Sequence, residues 1–226
     1  MEIGKESVTV DFWGDFACFS YPFAKIDRLT SPVPTPSAAR GMLDAIYCKP
    51  PEFFWAVRKI EVMNPIKYIN MARNEPMSPI SFPNNGGKVV PVDVQETMNP
   101  RLSIMLKDVY YRITADVIMR DTNVTGNPTG IREQAERRIR KGQCFKQPFL
   151  GTRECVAYFS EPDMSRKPIQ QSGDFGLMVY DTFILNPHLN CMTESPSSVS
   201  LYHCVMNNGV IDVPDYYSDE VFRREA

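Results

Sequence analysis

The residues with the clearest chemical potential run from Arg137 to Glu154, in the order Arg-Arg-Ile-Arg-Lys-Gly-Gln-Cys-Phe-Lys-Gln-Pro-Phe-Leu-Gly-Thr-Arg-Glu. Five Lys or Arg fall within residues 137–146, in a chain whose formal net charge is only -2. The positive charge is therefore local. Beside stackable aromatics such as Phe145, it is the footprint of a groove that tracks a phosphate backbone. The alternative is a solvated amphipathic helix whose long basic side chains cover apolar surface. Other chemistries find less support. Cys18, Cys48, Cys144, Cys155, Cys191 and Cys204 form no Cys-x-x-Cys pair and have no His at ligand spacing, so they read as small core residues rather than a zinc site. The two histidines, His188 and His203, carry no local motif for a Cys–His nucleophile. No metal or cofactor is expected.

These residues need elements to position them. At 226 residues, with 43% hydrophobic and 23% charged side chains, the chain makes one large or two small globular domains. No run approaches the roughly 18 apolar residues of a transmembrane helix, and the first residues lack the apolar core of a signal peptide. The reading is a cytoplasmic protein without a membrane partner. Ser7 to Gly14 alternates polar and apolar residues and predicts a first strand. Thr35-Pro36 supplies an N-cap and a first-turn proline for a helix to about Ile46, with Ala39, Met42, Leu43 and Ile46 on one face. Lys49-Pro50-Pro51 stops it. Phe53 to Val62 predicts a second strand. Pro76 to Pro100 has loop composition, with room for a short strand around Val89 to Val94. Leu106 to Met119 alternates and predicts a long strand. Asn127-Pro128 leads into a second helix, about Ile131 to Lys141, closed by Gly142. Further strands are predicted at Phe149 to Phe159 and Leu177 to Ile184, with a linker from Glu161 to Asp174. Asn207-Asn208-Gly209 predicts a hairpin between Tyr202 to Met206 and Val210 to Val213. The chain from Tyr216 onward is polar and is expected to fray.

Strand, helix, strand, long loop, strand, helix, strand is the order of an α+β, split βαβ, ferredoxin-like domain, whose sheet exposes one face that often binds single-stranded RNA. The expected division is residues 1–160 for this domain and 161–226 for a linker and a small antiparallel β-sheet C-terminal region. Several stretches together resemble the CRISPR-associated Cas-five family, in its type I-C form, within the RAMP superfamily. They are Phe12 to Phe19, Pro36 to Pro50 with its Ala39-Arg40-Gly41-Met42, Arg73-Asn74-Glu75, Leu106 to Val109, Arg137 to Glu154 and Val205 to Ile211. These pieces span nearly the whole chain in order.

The resemblance implies an RRM-like domain with a C-terminal sheet, working in the interference complex Cascade. It implies a subunit that cleaves precursor crRNA within each repeat and retains the 5′ handle of the mature guide, touching the Cascade backbone and large subunits. Metal-independent cleavage of this kind uses the 2′-OH as nucleophile. It needs a proton removed, a proton supplied and positive charge beside the phosphorane. The family's site is a tyrosine ending the first helix and a Lys-His pair opening the second. The tyrosine corresponds to Tyr47; a phenol can position a 2′-OH, or accept its proton beside a cation. It can equally pack its ring at an interface with a wet hydroxyl. Counting back from Phe149-Leu150-Gly151 places Ile131-Arg132 where the Lys-His pair belongs. Arg132 keeps a positive charge for the phosphate but cannot shuttle protons. Tyr47 and Arg132 are the expected catalytic residues. Arg40, Lys49, Arg73, Arg137, Arg138, Lys141 and Lys146 are the expected RNA contacts, with Lys107 a further candidate cation and Trp13, Phe16 and Phe145 candidate stacking rings. The alternative is a subunit that binds the handle and assembles Cascade without cutting.

Overall fold

A computed structural model of the chain describes residues 6–24, 27–76, 98–120, 127–185 and 199–223. Its elements are β1 (Ser7–Ala17), β2 (Arg28–Leu29), α1 (Pro36–Ile46), β3 (Phe53–Val62), β4 (Tyr68–Pro76) and β5 (Met98–Met119), then α2 (Pro128–Arg140), β6 (Tyr158–Ser160), β7 (Gly173–Asp181), β8 (Ser200–Met206), β9 (Val210–Asp212) and β10 (Val221–Phe222). Among the described residues no helix is long and apolar enough to cross a membrane. The expected short strand at 89–94, His188 and Cys191 lie outside the described residues.

The architecture is α+β. The main sheet runs β6-β1-β5-β3-β9, with β2 and β4 also paired to β5. Every pairing in it is antiparallel except the short β2–β5 contact. Alternation builds it: Val8, Val10 and Phe12 of β1 and Tyr111, Ile113 and Ala115 of β5 are buried, as side chains two residues apart on a strand must share a face. β5 begins eight residues before the expected Leu106, because its first half pairs with β4 from Met98 to Leu106. Asp108, at φ 54, marks where the strand turns from that arm into the central sheet, and Asn64 Nδ2 holds its carbonyl at 2.8 Å.

Both helices have explicit starts. The Thr35 side chain accepts from the Ala38 N–H at 3.1 Å and Pro36 opens α1, whose Ala39, Met42, Leu43 and Ile46 are buried. Asn127 caps the Thr129 N–H at 3.0 Å, Pro128 opens α2, and Ile131, Ala135 and Ile139 form its buried stripe. Gly142, at φ 61, stops α2.

A second sheet, β10-β8-β7, follows. The hairpin expected at Asn207-Asn208-Gly209 is corrected. The turn is present, with Asn208 at φ 49 and Gly209 at φ 78, but β8 belongs to the second sheet and β9 pairs with β3 in the main one. The chain changes sheets at the turn because Gly209 is pressed against Ile169, where a Cβ would stand 2.5 Å from a carbonyl oxygen. Its N–H donates to Gln171 O at 2.8 Å and its carbonyl accepts from Val62 at 2.7 Å. Two other expectations change. Phe149 to Phe159 is mostly a compact loop, held by the Leu150 N–H to Cys155 O contact of 2.7 Å, and only Tyr158–Ser160 joins the sheet. The C-terminal residues do not fray at Tyr216, since Tyr216 is buried and Val221–Phe222 pairs with β8.

The segment expected as a linker lies across the polar face of the main sheet. Asp11 and Arg112, buried neighbours on β1 and β5, pair at 2.7 Å. The Asp163 carbonyl accepts from Arg112 at 2.6 Å, its N–H donates to Asp11, and Arg166 stacks on the Tyr110 ring at 4.4 Å. Beside it, Trp13 stacks on Tyr110 and Tyr158. Burial and the adjoining Asp11 carboxylate push the Tyr110 phenol up to about 12. This face of the main sheet is occupied, in part, by the protein's own chain.

Candidate active site

The end of α1 is built by saturating its last carbonyl groups, which have no partner within the helix. Ala45 and Ile46 find their donors outside it. The turn after α2 folds back so that the Phe145 and Lys146 N–H groups reach Ala45 O at 2.9 and 3.0 Å. Arg138 Nη1 donates to Ile46 O at 2.9 Å, and Trp55 Nε1 to Tyr47 O at 2.9 Å. The result is a rigid α1–α2 junction centred on Tyr47.

Tyr47 is only 6% exposed. Its ring packs on Phe53 with centroids 5.6 Å apart, under the Arg138 guanidinium 4.8 Å away. Lys49 follows two residues later, past Cys48. Lys49 is pushed above its usual value first by its contact with Glu52 and then by Tyr47. Lys49 Nζ donates to both Glu52 oxygens at 3.1 Å. The ring is thus interior, and an exposed ion pair follows it in the chain.

Around this centre the positive charge is poorly matched. Arg137 and Arg138 donate to Gln134 and Ile46 O, and Arg140 pairs with Glu161 at 3.2 Å. Among the described residues, Lys141 and Lys146 form no ion pair. Phe145, 75% exposed, stands between them in sequence. Cys48 and Asp44 mark the site's inner side. Burial, together with the Asp44 carboxylate, pushes the Cys48 thiol up to about 11. Burial also raises Asp44.

The structure brings together Tyr47, Arg138 and Lys146, with Lys49 two residues beyond the tyrosine and Arg137 and Lys141 on the adjoining end of α2, and leaves Arg132, Arg40, Arg73 and Lys107 elsewhere. Arg132 does not reach Tyr47: it lies six residues before Arg138, about 9 Å along the helix axis, and pairs with Glu6 at 3.0 Å and Glu136 at 2.9 Å. Ile131 beside it is a buried core residue. Arg40 is corrected from an RNA contact to an internal brace. It is 6% exposed, with Nε and Nη2 on Asp181 at 2.9 and 3.0 Å and Nη1 on Asp44 at 3.0 Å. It ties α1 to β7 beside a cavity of about 690 Å3 that does not include Tyr47. Arg73 lies on the outer half of the β4–β5 arm, opposite Arg101, where it and Arg28 share Glu154 at 2.9 and 2.8 Å. Trp13 is held in the Tyr110–Tyr158 stack and Phe16 packs against the core, so Phe145 is the free ring of the three. Lys107 is exposed on β5, away from this junction in the element order. His203 pairs with Asp174 at 2.7 Å on the second sheet. Glu52 was missed, although Lys49-Pro50-Pro51-Glu52 is local in sequence; the prolines read only as a helix stop.

The fold and junction define an α+β protein with a cationic, tyrosine-centred site between its two helices. Comparison with known proteins makes the class specific. The profile of the CRISPR-associated protein family Cas_Cas5 (Cas5d form) matches residues 7–214, and the chain belongs to this family. A curated relative from Thermus thermophilus, the CRISPR pre-crRNA endoribonuclease Cas5d, is 37% identical over 96% of this chain and 95% of its own. The protein of the same name from Mannheimia succiniciproducens is 35% identical over 96% of this chain and 98% of its own. A crystal structure of a CRISPR-associated protein superposes with a TM-score of 0.66 at 25% identity, covering 95% of each chain. A functionally uncharacterised protein from Streptococcus mutans shares the fold with a TM-score of 0.64 at 24% identity, covering 95% of this chain and 96% of its own.

Proposed function

We propose that this protein cleaves precursor CRISPR RNA within the repeat, without a metal, and keeps the 5′ handle of the guide within Cascade. The observation that carries this reading is the Tyr47 ring held beneath the Arg138 guanidinium at the end of α1, next to a turn with surplus positive charge. Relatives matched over nearly their full length bear the name of that activity. Tyr47 positions the 2′-OH, and Arg138, rather than the sequestered Arg132, supplies charge beside the phosphorane. Arg137, Lys141 and Lys146 hold the flanking phosphates, and Phe145 stacks on a base. The strand order β6-β1-β5-β3, with α1 and α2 as the connections, is the order of a ferredoxin-like domain. The reading places the protein in the cytoplasm, against the backbone and large subunits of Cascade.

The family's Lys-His pair is absent at the expected place, which favours a second reading: a subunit that caps the handle and does not cut. End-labelled cognate repeat RNA, incubated with the purified protein in EDTA, separates the two. A single cut leaving a 2′,3′-cyclic phosphate and a 5′-OH is the expected result. Tight binding with intact RNA supports the capping role instead.

A further inference from the structure

Attack by a 2′-OH needs one proton removed and another supplied, and the residues assigned above cannot do both. A guanidinium is not a proton donor to a leaving oxygen, and a single phenol serves at most one end of the reaction. The ion pair that begins two residues beyond Tyr47 has the missing chemistry. Lys49 Nζ contacts both carboxylate oxygens of Glu52 at 3.1 Å, on the turn that leaves the Tyr47 cap of α1.

This pair sits on an anchored turn. Pro50 and Pro51 fix two backbone angles. The Glu52 and Phe53 N–H groups both return to Lys49 O, at 2.9 and 3.1 Å. The fully buried Arg120 donates from Nε to Pro50 O at 2.6 Å and from its N–H to Glu52 O at 2.9 Å, while its guanidinium stacks on Phe54. A solvent-facing ion pair adds little to stability. An anchored one, with side chains 46% and 37% exposed at the edge of a cationic surface, is positioned to meet a substrate.

We propose that Lys49 and Glu52 are the proton-transfer pair of this site, a proposal that rests on the endoribonuclease reading above. The Glu52 carboxylate takes the proton of the 2′-OH as the 2′ oxygen bonds to phosphorus. The bond from phosphorus to the 5′ oxygen breaks with its electron pair on oxygen, which takes a proton from the Lys49 ammonium. The products are the cyclic phosphate, the 5′-OH, a neutral Lys49 amine and a protonated Glu52. Protonation of Glu52 removes the anion that holds the Lys49 proton, so the base step makes the acid stronger. Transfer of the proton from Glu52 to Lys49 across their contact restores the starting state. The two together supply what the absent Lys-His pair supplies in the family.

The test is single-turnover cleavage of cognate repeat RNA in EDTA, with either an ordinary 5′ oxygen or a bridging sulfur at the scissile position. A thiolate leaves without needing a proton. Glu52→Gln is expected to slow both substrates by about a hundredfold or more, with its Kd for the RNA within about threefold of wild type. Lys49→Arg keeps the charge but cannot release a proton. It is expected to slow the oxygen substrate to a similar degree and to recover on the sulfur substrate, a ratio insensitive to any folding defect. Wild-type rates from Glu52→Gln, or equal slowing of Lys49→Arg on both substrates, overturn the assignment while the wild-type protein still cuts. Failure of the wild-type protein to cut either substrate overturns the endoribonuclease reading itself, and this proposal with it.

Discussion

Helix α1 makes two cationic junctions of opposite character. At the first, Arg40 enters the interior and is met by Asp181 and Asp44, with contacts of 2.9 to 3.0 Å. At the second, the end of the helix meets α2, where Arg137, Arg138, Arg140, Lys141 and Lys146 gather and only Arg140 forms an ion pair among the described residues. The first junction joins the second sheet to the helices. The second has charge left over for something outside the chain. Helix α2 repeats the lesson along its own length: Arg132 near its start has two carboxylates, and its last turn has a surplus. A cation becomes a binding group only where the fold leaves it unanswered.

Breaking the first junction is expected to have the largest effect. Arg40→Ala leaves Asp181 buried without its partner and is expected to cost about 3–5 kcal/mol of stability, measured by urea unfolding. Loss of RNA affinity in a protein of unchanged stability would erase the contrast. At the second junction the expected losses are in rate. Tyr47→Phe is expected to slow repeat cleavage about 10- to 100-fold with binding intact, as single-turnover kinetics will show; wild-type cleavage would remove the phenol from the chemistry. Arg132→Ala is expected to leave both affinity and its salt dependence unchanged in a filter-binding titration, because that guanidinium is already paired. The smallest effect sharpens the boundary between the two junctions. Cys48, its thiol pushed up to about 11 by burial and Asp44, stays protonated until the pH approaches that value. Alkylation by iodoacetamide at pH 8, followed by mass spectrometry, is expected to leave it largely unmodified, and rapid modification would show that the pocket between Asp44 and Lys146 is wet.

What the sequence disclosed was local chemistry. Thr35-Pro36 and Asn127-Pro128 signalled both helix starts, and Gly142 the second helix's end, because caps act over three or four residues. The Asn-Gly turn was visible, but its two strands go to different sheets, a choice set by Gly209 packing on Ile169 forty residues earlier. The cations were visible too, but not their partners: Asp181 is 141 residues from Arg40, and Glu6 is 126 from Arg132. Lys49 and Glu52, three residues apart, were within reach of sequence reasoning. They went unread because a Pro-Pro pair between them looks like punctuation, and the significance of the pair comes from the Tyr47 ring that packing brings to it.

The most direct measurement is the slope of log Kd against log salt concentration for cognate repeat RNA, compared between the wild-type protein and an Arg137→Ala, Lys141→Ala, Lys146→Ala triple variant. If the α1–α2 junction is where the RNA lies, three lost phosphate contacts make the slope shallower by about two. An unchanged slope in the folded triple variant would contradict the account, and would make the last turn of α2 a solvated face.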